Sequence, residues 1–199
     1  MDKQEIVLAS NNPGKAKEVN ELLANTGFHI LPQSDFDVVG AEETGLTFVE
    51  NAILKARNAA RYTNHPVIAD DSGIEVISLK GRPGIYSARY AGLDASDEDN
   101  LNKLIEDIKP LDKKDRNARF VCSMVFLRHA EDPTPLISQG VWDGVVITEP
   151  RGRNGFGYDP MFYVPTHDCT SAELSPEIKN QLSHRGQALT SLIKQVCKL

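Results

Sequence analysis

Ile6-Val7-Leu8-Ala9-Ser10-Asn11-Asn12-Pro13-Gly14-Lys15-Ala16-Lys17-Glu18-Val19 changes its periodicity part-way along. Four apolar residues in a row have the pattern of a short buried strand. Asn12 carries the short polar side chain of a helix N-cap, and Pro13 suits the first helical position, where no N–H is needed. Ala16, Val19, Leu22 and Leu23 then recur on one helical face, and Gly27 is expected to close the helix. A buried strand feeding into an amphipathic helix is the working unit of α/β folds.

The alternation continues along the chain. Phe28 to Leu31 predicts a second strand, and Ala41-Glu42-Glu43-Thr44-Gly45 reads as a loop. Thr47 and Glu50 form a capping box for a helix from Phe48 to about Tyr62. Val67-Ile68-Ala69 is a short buried strand that stops at a turn, Asp70-Asp71-Ser72-Gly73. Strand resumes from Ile74 to Leu79 and ends at Gly81-Arg82-Pro83-Gly84. Ser96 caps a helix with Leu101, Leu104, Ile105 and Ile108 on one side, and Lys109-Pro110 stops it. Residues 111–117 are a polar connection. Phe120 to Leu127 is apolar on both faces, as in a central strand. After the loop at Asp132-Pro133-Thr134-Pro135, Leu136 to Thr148 returns as strand. A glycine-rich loop covers Gly152 to Tyr158, Ser175-Pro176 starts a short helix, and Ala188, Leu189, Leu192, Ile193 and Val196 mark the last one. Interleaved helices and strands predict an α/β domain with a mixed sheet.

Composition narrows the function classes. The chain has 199 residues, 40% hydrophobic and 25% charged, which suits one domain or one domain with two lobes and argues against bulk disorder. The net charge of −6 and the lack of a basic run disfavour a nucleic-acid binder, so any bound phosphate must meet locally placed lysines and arginines. Cys122, Cys169 and Cys197 are widely spaced and odd in number, as expected of reduced thiols in a cytoplasmic protein. Ile6 to Ala9 is too short for a signal peptide, and no stretch approaches a membrane span.

Five groups could do chemistry. The helix start at Ser10 to Lys15 offers N–H groups and a lysine to phosphate, without the glycine and Ser/Thr of a Walker A loop. Taken alone it reads more readily as an ordinary strand-to-helix connection. Asp70-Asp71 and Glu42-Glu43 are adjacent carboxylate pairs, and together they could hold Mg²⁺; equally, the aspartates could cap a turn and the glutamates face water. Lys55 follows Asn51 by one helical turn and carries no weight by itself. Gly155-Phe156-Gly157-Tyr158-Asp159-Pro160 allows close backbone approach and a stacking ring, or else is a glycine turn around a core aromatic. Lys179 and Ser183-His184-Arg185-Gly186 offer hydrogen-bond donors, though a lone His-Arg pair is usually surface.

These motifs, with Glu50-Asn51-Ala52, Lys55-Ala56, Pro83-Gly84 and Tyr86-Ser87-Ala88-Arg89-Tyr90, occur in an order that resembles the inosine/xanthosine triphosphate pyrophosphatase family from about residue 6 to residue 195. The resemblance implies a single domain over 1–199: an elongated mixed sheet flanked by helices, in two lobes with a central cleft, assembled as a homodimer. It implies Mg²⁺-dependent hydrolysis of ITP, dITP, XTP and dXTP to the monophosphate and pyrophosphate, which cleanses the nucleotide pool of deaminated purines.

The resemblance also distributes roles. Asp71 would be general base and metal ligand, with Glu42 or Glu43 as the other metal carboxylate and Asp70 in support. Ser10, Asn11, Asn12, Pro13, Gly14 and Lys15 would hold the triphosphate, with Lys55 and Ser72 beside it. Phe156 would stack on the purine, Gly157, Tyr158 and Asp159 would shape its pocket, and Lys179, His184 and Arg185 would contact the base. Rival readings are a pyrophosphatase for other nucleotides, pyrimidines included, and a nucleotide sensor that does not need Asp71 as a base.

Overall fold

In a computed structural model, residues 4–24 and 26–199 are described. Their elements in chain order are β1 (Gln4–Leu8), α1 (Pro13–Leu23), β2 (Phe28–Pro32), α2 (Phe48–Thr63), β3 (Val67–Val76), α3 (Asp97–Ile108), β4 (Asn117–Leu127), β5 (Leu136–Val146), β6 (Phe162–Val164), β7 (Cys169–Thr170), α4 (Pro176–Leu182) and α5 (His184–Val196). The strands form one mixed sheet in the order β2-β1-β3-β4-β5-β6-β7, an α/β fold with β4 in the middle. β1 pairs in parallel with β2 and β3, whereas β6 pairs antiparallel with β5 and β7.

The chain divides into two compact units. The first is Met1–Asp71, Cys122–Gly140 and Arg185–Leu199; the second is Ser72–Val121 and Val141–His184. In the first, side chains alternate across the sheet with period 2. Ile6 and Leu8 of β1, Ile68 of β3 and Cys122, Met124 and Phe126 of β4 pack on one face, under Val19 and Leu23 of α1 and Leu189 and Leu192 of α5. Val7, Val67, Ala69, Val125 and Leu127 pack on the other, under Ala52, Ala56, Ala59 and Ala60 of α2. That row of alanines lets α2 lie close to the sheet. The second unit has its own core, in which Ile74, Leu104, Ile108, Met161 and Phe162 are fully buried.

The helix starts follow the expected chemistry. Asn12 Oδ1 accepts the Lys15 N–H at 3.0 Å, and Ser96 and Asp99 form a reciprocal capping box. Thr47 accepts the Glu50 N–H, and the Glu50 carboxylate reaches back to the Leu46 N–H and the Thr47 hydroxyl.

Several expectations are corrected. No turn occurs at 70–73: β3 runs unbroken from Val67 to Val76, because lysine and arginine partners let two carboxylates sit within a buried strand. The strand expected to reach Leu79 ends at Val76, where Ile77–Leu79 tighten into a 3₁₀ turn with Lys80 left-handed behind it. β5 stops at Val146, short of Thr148. Gly27 does not cap α1, which ends at Leu23 with its carbonyl taken by the Thr26 hydroxyl at 2.7 Å, while the Gly27 carbonyl accepts from Gln4. β6 and β7 escaped the sequence reading because three and two residues are too few to show a period.

Candidate active site

The alternation of β3 decides what its two aspartates touch. Asp70 follows Ile68 by two residues and so faces the α1 and α5 side; Asp71 follows Ala69 by two and faces α2. Asp70 is fully buried. Its Oδ2 lies 3.0 Å from Lys15 Nζ of α1, 3.2 Å from Arg185 Nη2 of α5, and 4.0 Å from the Cys122 thiol. Arg185 also donates to Glu18, one turn beyond Lys15. Burial alone would raise the Asp70 carboxyl, but Lys15, Arg185 and Lys55 outweigh it and hold the group far below the usual carboxylate range. Burial, reinforced by Asp70, pushes the Cys122 thiol up to about 12, so it stays protonated as a weak donor.

Asp71 lies in different company. Its Oδ1 accepts from Lys55 Nζ at 2.7 Å, and the same ammonium is 3.0 Å from Glu43 Oε1. Burial raises the Asp71 carboxyl; Lys55 and Lys15 oppose this, Glu43 adds to it, and the balance stays upward. Burial would lower Lys55, yet Asp71, Asp70 and Glu43 together raise it, so it remains an ammonium. One face of β3 therefore holds a carboxylate locked in its charged form, and the next residue holds one that binds its proton more readily than usual.

The expected phosphate loop lies in the same unit. The Ser10 hydroxyl accepts the Asn12 N–H, and Asn11 Oδ1 accepts from Gln33. In the first turn of α1, Pro13 has no N–H, Asn12 takes that of Lys15, and Ala16 bonds back to the Asn12 carbonyl. Among the described residues this leaves Gly14 to offer the turn's N–H. Glu43 meets Lys55, whereas Glu42 is exposed.

In the second unit, Gly155 to Asp159 form a tight corner. Asp159 Oδ2 accepts the Phe156 N–H at 2.8 Å and pairs with Lys179 Nζ at 2.5 Å, while its Oδ1 accepts the Ser171 hydroxyl. Lys179 Nζ sits 5.2 Å from the centre of the half-buried Phe156 ring. Gly155 has φ +75°, and a Cβ there would fall 2.0 Å from Asp159 Oδ2, so both its backbone and its missing side chain are required. The Gly157 N–H donates to Asp97, and the Tyr158 hydroxyl donates to the Ser87 carbonyl. The buried His184 ring stacks on Phe120 at 4.7 Å. Ser72, the next residue after Asp71, begins this unit.

The structure thus gathers Lys15, Lys55, Asp70, Asp71 and Glu43 in one unit, and Phe156, Gly157, Tyr158, Asp159 and Lys179 in the other. Arg185, expected at the base, is found with Glu18 and Asp70. Glu18, Gln33, Asp97 and Ser171 were not singled out as site residues from sequence, and Asn51 and Ser87 stood in quoted motifs without a role. Glu18 left only the trace of falling three residues after Lys15, on its helical face.

A mixed α/β sheet with a lysine–carboxylate cluster beside a strand-to-helix junction is the make-up of phosphate-handling α/β proteins. Residues 6–195 match the Ham1 family, and the chain belongs to that family. It is 57% identical to the dITP/XTP pyrophosphatase of Escherichia coli (strain K12), over 96% of each chain. It is 56% identical to the dITP/XTP pyrophosphatase of Vibrio cholerae, over 97% of this chain and 96% of that one. Among solved structures, a HAM1 protein from Coxiella burnetii superimposes with a TM-score of 0.90 at 49% identity, covering 98% of this chain and all of the other. The Staphylococcus aureus Ham1 protein gives 0.84 at 44%, covering 98% and 99%.

Proposed function

We propose that this chain hydrolyses deaminated purine nucleoside triphosphates, ITP, dITP, XTP and dXTP, to the monophosphate and pyrophosphate, cleansing the nucleotide pool. The observation that carries the reading is the split of partners at the two aspartates: Asp70 is locked by Lys15 and Arg185, while Asp71 stands beside Lys55 and Glu43. The names of its relatives support the substrate class.

Lys15 and Lys55 offset the charge of the triphosphate, with Gly14 and the Ser10–Asn12 loop around it. Asp71 takes the proton of the attacking water as the α–β anhydride bond breaks. The donor set suits Mg²⁺. Glu43 and Asp71 already converge on one cation, the Lys55 ammonium, and both are hard oxygen donors. Among the described residues no three His, Cys, Asp or Glu side chains gather as a cage, and Mg²⁺ characteristically uses one or two carboxylates and completes its shell with water and phosphate. Bound there, Mg²⁺ would neutralise charge developing on the phosphates. Of the two adjacent glutamates, Glu43 is the one assigned to it.

Base choice belongs to the Phe156–Lys179 corner. Phe156 stacks on the purine, and Lys179, pinned by Asp159, donates to an oxygen at ring position 6; His184 is a second donor. Adenine presents an amino group there, and an unmet buried donor costs about 1–3 kcal/mol. Phe156→Ala should raise KM for dITP with kcat little changed, since stacking is worth about 1–3 kcal/mol per base; steady-state kinetics checks this. The working form of the reading is a cytoplasmic homodimer. Among the described residues no helix is long and apolar enough to cross a membrane.

Pyrophosphate release tests the whole reading, with dITP and XTP beside dATP, dGTP and dTTP, with and without Mg²⁺. The expected result is turnover of dITP and XTP only with Mg²⁺, above dATP by about 10–100-fold in kcat/KM, the equivalent of the mismatch energy. Faster turnover of dTTP would transfer the assignment to a pyrimidine enzyme. Binding without turnover would make the chain a sensor.

A further inference from the structure

Asn51 has been given no role so far, yet it touches both chain segments that bring carboxylates to the cluster. It lies in the first turn of α2, fully buried, one turn before Lys55. Its Oδ1 accepts the Gly45 N–H at 2.8 Å. Only an acceptor can meet a backbone N–H, so the amide orientation is fixed and its NH₂ group must face the other way. On that side stands Asp71 Oδ2, at 3.5 Å. One rigid amide thus spans from the 41–45 loop, which carries Glu43, to β3, which carries Asp71.

Gly45 shows how close the loop runs. A Cβ at that position would fall 2.6 Å from Glu50 Cβ and 2.7 Å from Asn51 Oδ1. Gly45 is not among the residues of positive φ, so the glycine is required for room rather than for backbone freedom. The loop is drawn against the helix at the point where the Asn51 amide can read it. Meanwhile Asp71 receives a donor on each oxygen, Lys55 on Oδ1 and Asn51 on Oδ2, which fixes the plane of the carboxylate.

Resting on the hydrolase reading above, we infer that Asn51 is a positioning residue for the reaction: its amide sets the spacing between Glu43 and Asp71 and orients the Asp71 carboxylate. A buried asparagine that merely fastened a loop would need its acceptor alone. Asn51→Asp separates the two roles, because it keeps the acceptor for Gly45 and nearly the same shape but replaces the donor to Asp71 with a like charge.

The test measures kcat and KM for dITP with Mg²⁺, and hydrogen exchange at the Gly45 amide in metal-free protein, for wild type, Asn51→Asp, Asn51→Ala and Gly45→Ala. Asn51→Asp should keep the Gly45 amide protected while kcat falls by about 100-fold, the scale of a misplaced catalytic group, with KM little changed. Asn51→Ala should lose both the protection and the activity. Gly45→Ala keeps every side chain of the cluster and should still lower kcat by displacing the amide, so the inference can be tested even where a change at Asn51 prevents folding. Wild-type kcat in Asn51→Asp or in Gly45→Ala, or unchanged Gly45 exchange in Asn51→Ala, overturns it. Failure of the hydrolase reading would be distinct, because the wild type itself would release no pyrophosphate.

Discussion

Asp71→Asn should lower kcat for dITP by about 10²–10⁴-fold, the range expected when a general base is removed, while leaving nucleotide binding and the fold in place. The geometry explains why the fold survives. Asp71 is buried, and its carboxyl is raised in the folded protein, which means that the folded state disfavours its charge. A raised carboxyl pKa costs stability once the pH exceeds the unfolded value near ~3.9, so a neutral isostere removes a cost rather than a support. Lys55 keeps Glu43 as a partner at 3.0 Å. The variant should therefore melt close to the wild type at neutral pH, by calorimetry or circular dichroism. In the wild type, turnover should fall as the pH drops and Asp71 protonates, because a protonated carboxyl can neither accept the water's proton nor hold Mg²⁺. This is the familiar trade of stability for activity, confined to one side chain.

Asp70→Asn should do the opposite in kind. Its removal leaves Lys15 and Arg185 with only part of their compensation in a buried setting, and breaking such a pair costs about 3–5 kcal/mol. For a chain of this size that is roughly 2–4 °C of melting temperature per kcal/mol. The sign with pH follows from the depressed carboxyl. A group whose folded pKa is lowered contributes stability that is present above its unfolded value and lost as the pH falls toward the folded one. The gap in stability between wild type and Asp70→Asn should hold constant at neutral pH and close below about pH 4, as unfolded aspartate protonates. Denaturant unfolding at several pH values measures it. A gap that widened in acid would contradict the charge account.

The neighbouring aspartates also show what the sequence could and could not convey. The strand at Ile6–Ala9, its Asn12–Pro13 helix start and the capped helices at 47 and 96 were legible, because each rests on local periodicity and cap chemistry. The apolar run of β4 was legible as a middle strand for the same reason. The continuity of β3 was not. Two carboxylates, a serine and a glycine have turn chemistry, and only partners from α1, α2 and α5, the last 115 residues away, make a strand tolerable there. With the turn assumed, the period-2 rule could not be applied across 70–71, and only the family resemblance distinguished the two residues. With the strand in place, that rule alone sends Asp70 to the Ile68 face and Asp71 to the Ala69 face.

The same limit explains Arg185 and Asn51. Arg185 was assigned from its motif, and its bonds to Glu18 and Asp70 depend on how α5 packs over α1 and the sheet. Asn51 sits in a helix first turn where asparagine is ordinary, and its value comes from a loop six residues back and a strand 20 residues on. The choice between Glu42 and Glu43 is a matter of which side chain reaches Lys55, and no local signal distinguishes adjacent residues of one type.

On the proposed reading, Asp71 does chemistry while Asp70 holds the fold. The most direct test measures dITP turnover and melting temperature together for Asp70→Asn and Asp71→Asn. Asp71→Asn should lose turnover and keep its melting temperature, whereas Asp70→Asn should lose several degrees of melting temperature. An Asp71→Asn protein that hydrolyses dITP at the wild-type rate, or an Asp70→Asn protein that melts with the wild type, would contradict it.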